Sequence, residues 1–135
     1  MILVEFSAPP GLPWALTNIF PARPVQGERV MTTSERYREI VLAVRDFVSQ
    51  GRSPEGELGK ETRHVEKASL TLGELAETVG EIPRIRLEAE LTPVLLKAHG
   101  QLDRARMLFE EAGAEDQGAT VWELEQKIYR LLNDL

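Results

Sequence analysis

Two histidines, a set of serines and several paired carboxylates are the residues of this chain whose types could do chemistry. Glu61-Thr62-Arg63-His64 places a carboxylate and an imidazole three residues apart, so both leave one side of a helix. That is the Glu-x-x-His spacing by which carboxylate-bridged di-metal bundles present their ligands. Such a centre needs a second copy of the motif and two further carboxylates, and the only other histidine, His99, has Leu96 rather than a glutamate three residues before it. His99 lies beside Ala98 at the edge of an apolar stripe, where a hydrogen-bonded structural imidazole is the commoner role. Ser7, Ser34, Ser49, Ser53 and Ser69 lack the Gly-x-Ser-x-Gly setting of an activated nucleophile, and no glycine-rich phosphate loop occurs. Glu88/Glu90 and Glu110/Glu111 read as solvated faces. No catalytic residue, metal ligand or cofactor is therefore assigned, and a metal-dependent enzyme working through Glu61 and His64 is the least favoured of three functional readings.

The elements that must position these side chains are mainly helical. The last third of the chain is the clearest. Thr92 is a competent N-cap with Pro93 after it at the first helical position, and Leu95, Ala98, Leu102, Ala105, Leu108, Phe109 and Ala112 recur at steps of three and four. Gly113 is a natural stop, and 114–119 is a polar turn. Thr120 or Gly118 then opens a second helix whose apolar face is Val121, Leu124, Ile128, Leu131 and Leu135, flanked by Trp122 and Tyr129. Two apolar faces on so short a connection predict an antiparallel αα-hairpin.

Upstream, Thr32, Thr33 and Ser34 form an N-cap cluster for a helix over about 34–50, with Tyr37, Ile40, Val41, Val44, Phe47 and Val48 on one face and Gly51 at its end. Residues 52–60 are a Ser/Pro/Gly/Glu loop. Val65, Ala68, Leu72, Leu75 and Val79 follow a heptad rhythm, which predicts a helix over 61–79 despite Gly73. A capping box of Thr71 and Glu74 would shorten it to 72–79. Over 83–91 the alternation of Ile85, Leu87, Ala89 and Leu91 with charged residues is strand periodicity, yet Leu87, Leu91 and Leu95 also share a helical face. If it is a strand, its partner is 1–7. The expected fold is a mainly α three- or four-helix bundle over 32–135, with a minor two-stranded element pairing 1–7 with 84–91 as an option.

Residues 1–31 differ from the rest, with prolines at 9, 10, 13, 21 and 24 that forbid a helix. Leu12, Trp14, Leu16, Ile19 and Phe20 give this arm apolar groups that must be buried on its own domain or on a partner. Met31, just ahead of the N-cap cluster, also reads as an alternative start.

Composition narrows the function. The net charge of −6 arises wholly after residue 60, since 1–60 carries seven acidic and seven basic residues. That balance offers no electrostatic footprint for nucleic acid. There is no cysteine, so thiolate chemistry is excluded. No apolar run approaches membrane-spanning length, and a cytoplasmic protein without membrane insertion is expected. Leu72-Gly73-Glu74-Leu75-Ala76-Glu77-Thr78-Val79-Gly80 followed by Ile82-Pro83-Arg84 resembles the helix-turn-helix of bacterial transcription regulators, which implies DNA reading by 71–91. Glu81 is an extra residue in that turn, and Glu88 and Glu90 would face phosphates. Gly100, Ala105, Phe109 and Ala112 are similar in spacing to the second helix of a tetratricopeptide repeat, and they imply close helix packing. The leading reading is a non-catalytic protein–protein interaction module, a small accessory subunit or adaptor docking through Leu12, Trp14, Leu16, Ile19, Phe20, Trp122 and Tyr129. A homo-oligomer is compatible with it.

Overall fold

Four amphipathic helices, each too short to hide its apolar face alone, account for the architecture seen in a computed structural model, which describes residues 31–135. The chain divides between Met31 and Thr32, and the helical unit is Thr32–Leu135. The arm positions Leu12, Trp14, Leu16, Ile19 and Phe20, and the proposed strand 1–7, lie outside the described residues.

Helix α1 is Thr33–Gln50. Thr32 caps it: its hydroxyl accepts from the Glu35 amide, and the Glu35 carboxylate accepts from the Thr32 amide. This reciprocal pair satisfies donors the first turn would otherwise leave open. Tyr37, Ile40, Val41, Val44 and Val48 bury their side chains, as the stripe requires. The connection that follows is turned back on itself, with Arg52 bridged to Leu58 and Gly56 in the left-handed region at φ 84°. Only a residue without Cβ takes that conformation freely.

Helix α2 is Lys60–Gly73 and buries Val65, Ala68 and Leu72. It stops at Gly73, and the chain continues through turns and a short 3₁₀ segment, Val79–Glu81, to Pro83. Neither the longer helix to Val79 nor the 72–79 alternative forms. Gly73 lowers helix propensity by about 1 kcal/mol relative to alanine, while a turn lets Val79 bury fully and Leu75, Ala76 and Ile82 pack against the core. The connection from 74 to 83 is also far longer than the three- or four-residue turn of a helix-turn-helix.

Helix α3, Arg84–Glu111, is the longest element, about 42 Å at 1.5 Å per residue. It corrects two expectations. Residues 84–91 are helical rather than a strand, because their alternation does not correspond to burial: Leu91 is buried and Leu87 partly so, but Ile85 is 92% exposed and Ala89 is exposed too. The helix therefore starts at Arg84, with Pro83 just before it, and Thr92 and Pro93 lie inside it instead of beginning it. Pro93 is on the solvent side, where water can take the Ala89 carbonyl that loses its amide donor.

Gly113, at φ 78°, ends the hairpin's first arm, and its amide donates to the Glu110 carbonyl. Helix α4 is Glu115–Asn133, beginning earlier than Thr120 or Gly118, and buries Val121, Leu124, Ile128 and Leu131. Helices adjacent in sequence are adjacent in space, and α1 returns against α4 to close a ring. Their directions alternate: Arg36 near the start of α1 pairs with Asp134 beyond the end of α4 at 2.8 Å, and Tyr37 of α1 donates to the Leu72 carbonyl at the end of α2. α1 and α3, and likewise α2 and α4, are diagonal and make no close backbone approach. The core on the ring axis contains Tyr37, Leu72, Leu91, Leu95, Leu102, Ile128 and Leu131, all essentially without solvent exposure. Each such side chain contributes about 1.5–3 kcal/mol relative to an exposed one. Ala98 and Ala105, also fully buried, let neighbours approach α3 closely. The described residues form four helices packed on one another with no strands.

Candidate functional site on the outer face of the terminal hairpin

A helix in a bundle needs one apolar side; α3 has two. The buried side is Leu91, Leu95, Ala98, Leu102, Ala105 and Phe109. At 100° per residue, Ile85, Ala89, Leu96 and Met107 fall on a second stripe, some 140° from the first. All four are exposed, Leu96 by 57% and Met107 by 50%. On α4, Trp122 and Tyr129 are two turns apart, beside the α3 contact on the solvent side, and are 50% and 53% exposed. The outer face of the hairpin thus carries apolar residues on both helices.

Between these two rims runs a polar seam. His99, Asp103, Arg106 and Glu110 follow one another at steps of four, three and four along α3, and Glu125 of α4 meets them. The Arg106 guanidinium is the hub: it holds Asp103 Oδ1 at 2.6 Å and Glu110 Oε2 at 2.8 Å, and its Nε lies 3.3 Å from Glu125 Oε2. Those two carboxylates hold the guanidinium pKa above its ordinary value and, through the Arg106 bond, Asp103 below its own. Glu125 is different. It is only 3% exposed, and its Oε2 makes no hydrogen bond, the 3.3 Å approach of Arg106 being poorly aligned. Its Oε1 is 3.6 Å from His99 Nε2. Burial, and then the Asp103 charge, push its carboxyl up to about 7. Burial and the neighbouring Asp103 carboxylate thus favour the protonated form of Glu125.

Two carboxyls with pKa values pushed apart can serve as acid and base where a substrate reaches both. Here Glu125 is 3% exposed while Asp103 is open to solvent, so a substrate would meet the two carboxyls unequally. Two concavities on the outer face are lined by Glu110, Glu115, Gly118, Ala119 and Trp122, with a volume of about 530 Å³, and by Ile85, Glu88, Ala89, Thr92 and Pro93, about 450 Å³. Neither is lined by Glu125 or His99.

The Glu61/His64 pair gains no support from its surroundings. His64 is on the α2 surface, and its pKa is lowered by desolvation and by the charges of Lys67, Arg104 and Lys60. A cation would meet the same repulsion. Among the described residues, no group of three or more histidine, aspartate and glutamate side chains is arranged to hold a metal. Nor is any described helix long and apolar enough to cross a membrane. Trp122 and Tyr129 are the two sequence-selected partner residues that the structure describes, and it brings them to one face with Leu96 and Met107. The Glu125 cluster is not evident from the sequence patterns above. Its signal is a glutamate inside the buried stripe Val121, Leu124, Ile128, opposite charged residues spaced for one side of α3.

Compared with known protein families, with characterised proteins and with solved structures, the chain matches none.

Proposed function

We propose that this protein is a non-catalytic interaction module, a small accessory subunit or adaptor that engages another protein through the outer face of the α3–α4 hairpin. One observation carries the reading: α3 keeps a second, solvent-facing apolar stripe of Ile85, Ala89, Leu96 and Met107 beside the half-exposed Trp122 and Tyr129 of α4. Scattered exposed apolar residues are ordinary, but large ones gathered on one face mark a docking site. Trp and Tyr are also the side chains that most often anchor interfaces. Among the described residues nothing covers this stripe, so a partner can reach it without unfolding any of the four helices.

The test is copurification of the tagged full chain from its native host, set beside a Leu96→Glu/Tyr129→Glu variant. Both positions are half-exposed, so the variant should keep its helical content and melting behaviour. Retention of a stoichiometric partner by the parent and its loss from the variant is the expected result. If the parent elutes alone, or the variant keeps the same partner, the reading fails.

A further inference from the structure

Resting on that reading, we infer that the partner element is a basic amphipathic helix, one of whose arginine or lysine side chains enters the concavity formed by Glu110, Glu115, Gly118, Ala119 and Trp122. The argument is one of charge and shape. Glu88, Asp103, Glu110 and Glu115 border the apolar rims of the outer face, against Arg106, already engaged by Asp103 and Glu110, and the exposed Lys97 beside Leu96, so carboxylates outnumber cations there. Of the other α3 cations, Arg86 pairs with Glu90 at 3.4 Å, and Arg104 acts on His64 beside α2. An acidic face of this kind repels a second copy of a chain with net charge −6 and attracts a basic segment.

The concavity has the parts a cation needs. Trp122 is half-exposed and lines the concavity, and an indole face is the strongest aromatic surface for a guanidinium or ammonium. Glu110 and Glu115 supply carboxylates from the two helices that wall it, and Glu110 keeps Oε1 while Oε2 serves Arg106. Gly118 makes the floor: a Cβ there would sit 3.4 Å from Glu110 Cγ and 3.7 Å from Phe109 Cβ. The N-terminus of α4 opposes a cation, but its first turn carries Glu115 and Asp116, which outweigh a partial positive charge of about one half. Beyond the concavity, Leu96, Met107 and Tyr129 offer apolar contacts to further turns of the same helix, the helix-in-groove mode.

The probe is an amidated 18-residue amphipathic peptide of leucine and lysine, titrated into the isotopically labelled full chain and compared with a leucine/glutamate counterpart and with the leucine/lysine composition in shuffled order. The ordered leucine/lysine peptide should bind most tightly and weaken with salt. Its chemical shift changes should centre on Ala119, the Trp122 indole and Leu96. Glu110→Gln/Glu115→Gln and Trp122→Ala should each weaken it roughly tenfold, with Trp122→Phe intermediate as a check on folding, while Leu70→Gln on α2 should leave it unchanged. If the glutamate peptide binds this face as well, the docking face stands and the basic partner is wrong. If the shuffled peptide binds equally, attraction is unspecific and the inference fails. If the free chain dimerises through this face, the occupant is a second copy, and if no peptide perturbs the face, inference and docking face fall together.

Discussion

Replacing Glu125 by glutamine should remove most of the pH dependence of this protein's stability between about pH 4.5 and 7. Glutamine keeps the shape of the protonated carboxyl and cannot ionise. In the folded protein burial and the Asp103 charge raise the Glu125 pKa to about 7 from 4.5. A raised carboxyl pKa means that the folded state binds the proton more tightly than the unfolded chain. Its contribution is therefore fully present below about pH 4.5, declines as pH rises, and is gone above about 7. At 1.36 kcal/mol per unit, the difference amounts to roughly 3 kcal/mol. The value of about 7 already contains the attraction of Arg106 for the ionised form, and between pH 5 and 8 a loss of about 2–3 kcal/mol is expected, part of the full difference being lost already by pH 5. His64, whose folded pKa is lowered, has the opposite sign: its contribution is present above its unfolded pKa and is lost on acidification. Asp103, also lowered, matters only at more acid pH. Urea unfolding of parent and Glu125→Gln across pH 5 to 8 separates these effects, since the difference between the two proteins cancels the distant His64, and Asp103, whose pKa is lowered, stays ionised throughout that range. Near-equality at pH 5 and a variant more stable by about 2 kcal/mol at pH 8 is the expected pattern. A difference that stays constant with pH would refute a buried, proton-binding Glu125, and carboxyl carbon NMR of the parent reads the same titration directly.

Three further outcomes follow from the helices. Pro93→Ala should stabilise the protein by about 1–3 kcal/mol in urea unfolding, because Pro93 stands inside α3 and alanine restores an amide donor to the Ala89 carbonyl; a destabilised variant would mean that α3 depends on the proline. Tyr37→Phe should cost about 1–3 kcal/mol, since the fully buried phenol donates to the Leu72 carbonyl where α2 ends and the phenylalanine leaves that acceptor unpaired. Burial, with the Glu74 charge adding to it, holds the Tyr37 hydroxyl above its ordinary pKa, so it should not titrate in ultraviolet difference spectra before alkaline unfolding.

Local chemistry made α1, α4 and the C-terminal half of α3 legible. The N-cap cluster of Thr32, Thr33 and Ser34, the stripes from Tyr37 to Val48 and from Val121 to Leu131, and the Gly113 stop all act over a few residues, and each agrees with the structure the fold provides. The errors lie where two local signals competed. Pro93 favours a helix start because a proline is cheapest there; tertiary packing of Leu91 and Leu95, one turn apart, sets α3 through it instead. The alternation from Ile85 to Leu91 suited a strand, but a sheet needs a partner, and the helix buries Leu91 without one. Heptad spacing carried α2 on to Val79, yet Val79 buries just as well from a turn.

What the sequence determined by itself was an acidic, cysteine-free, mainly helical domain with a C-terminal αα-hairpin, because composition and 3.6-residue periodicity need no knowledge of distant neighbours. Tertiary structure alone decided which of two apolar stripes of α3 goes inward and which lies open beside Trp122 and Tyr129. It alone also decided that Glu125 is sealed against Arg106, Asp103 and His99. Both depend on which helix lies across from which, and burial and proton affinity are set by those neighbours rather than by the residue itself.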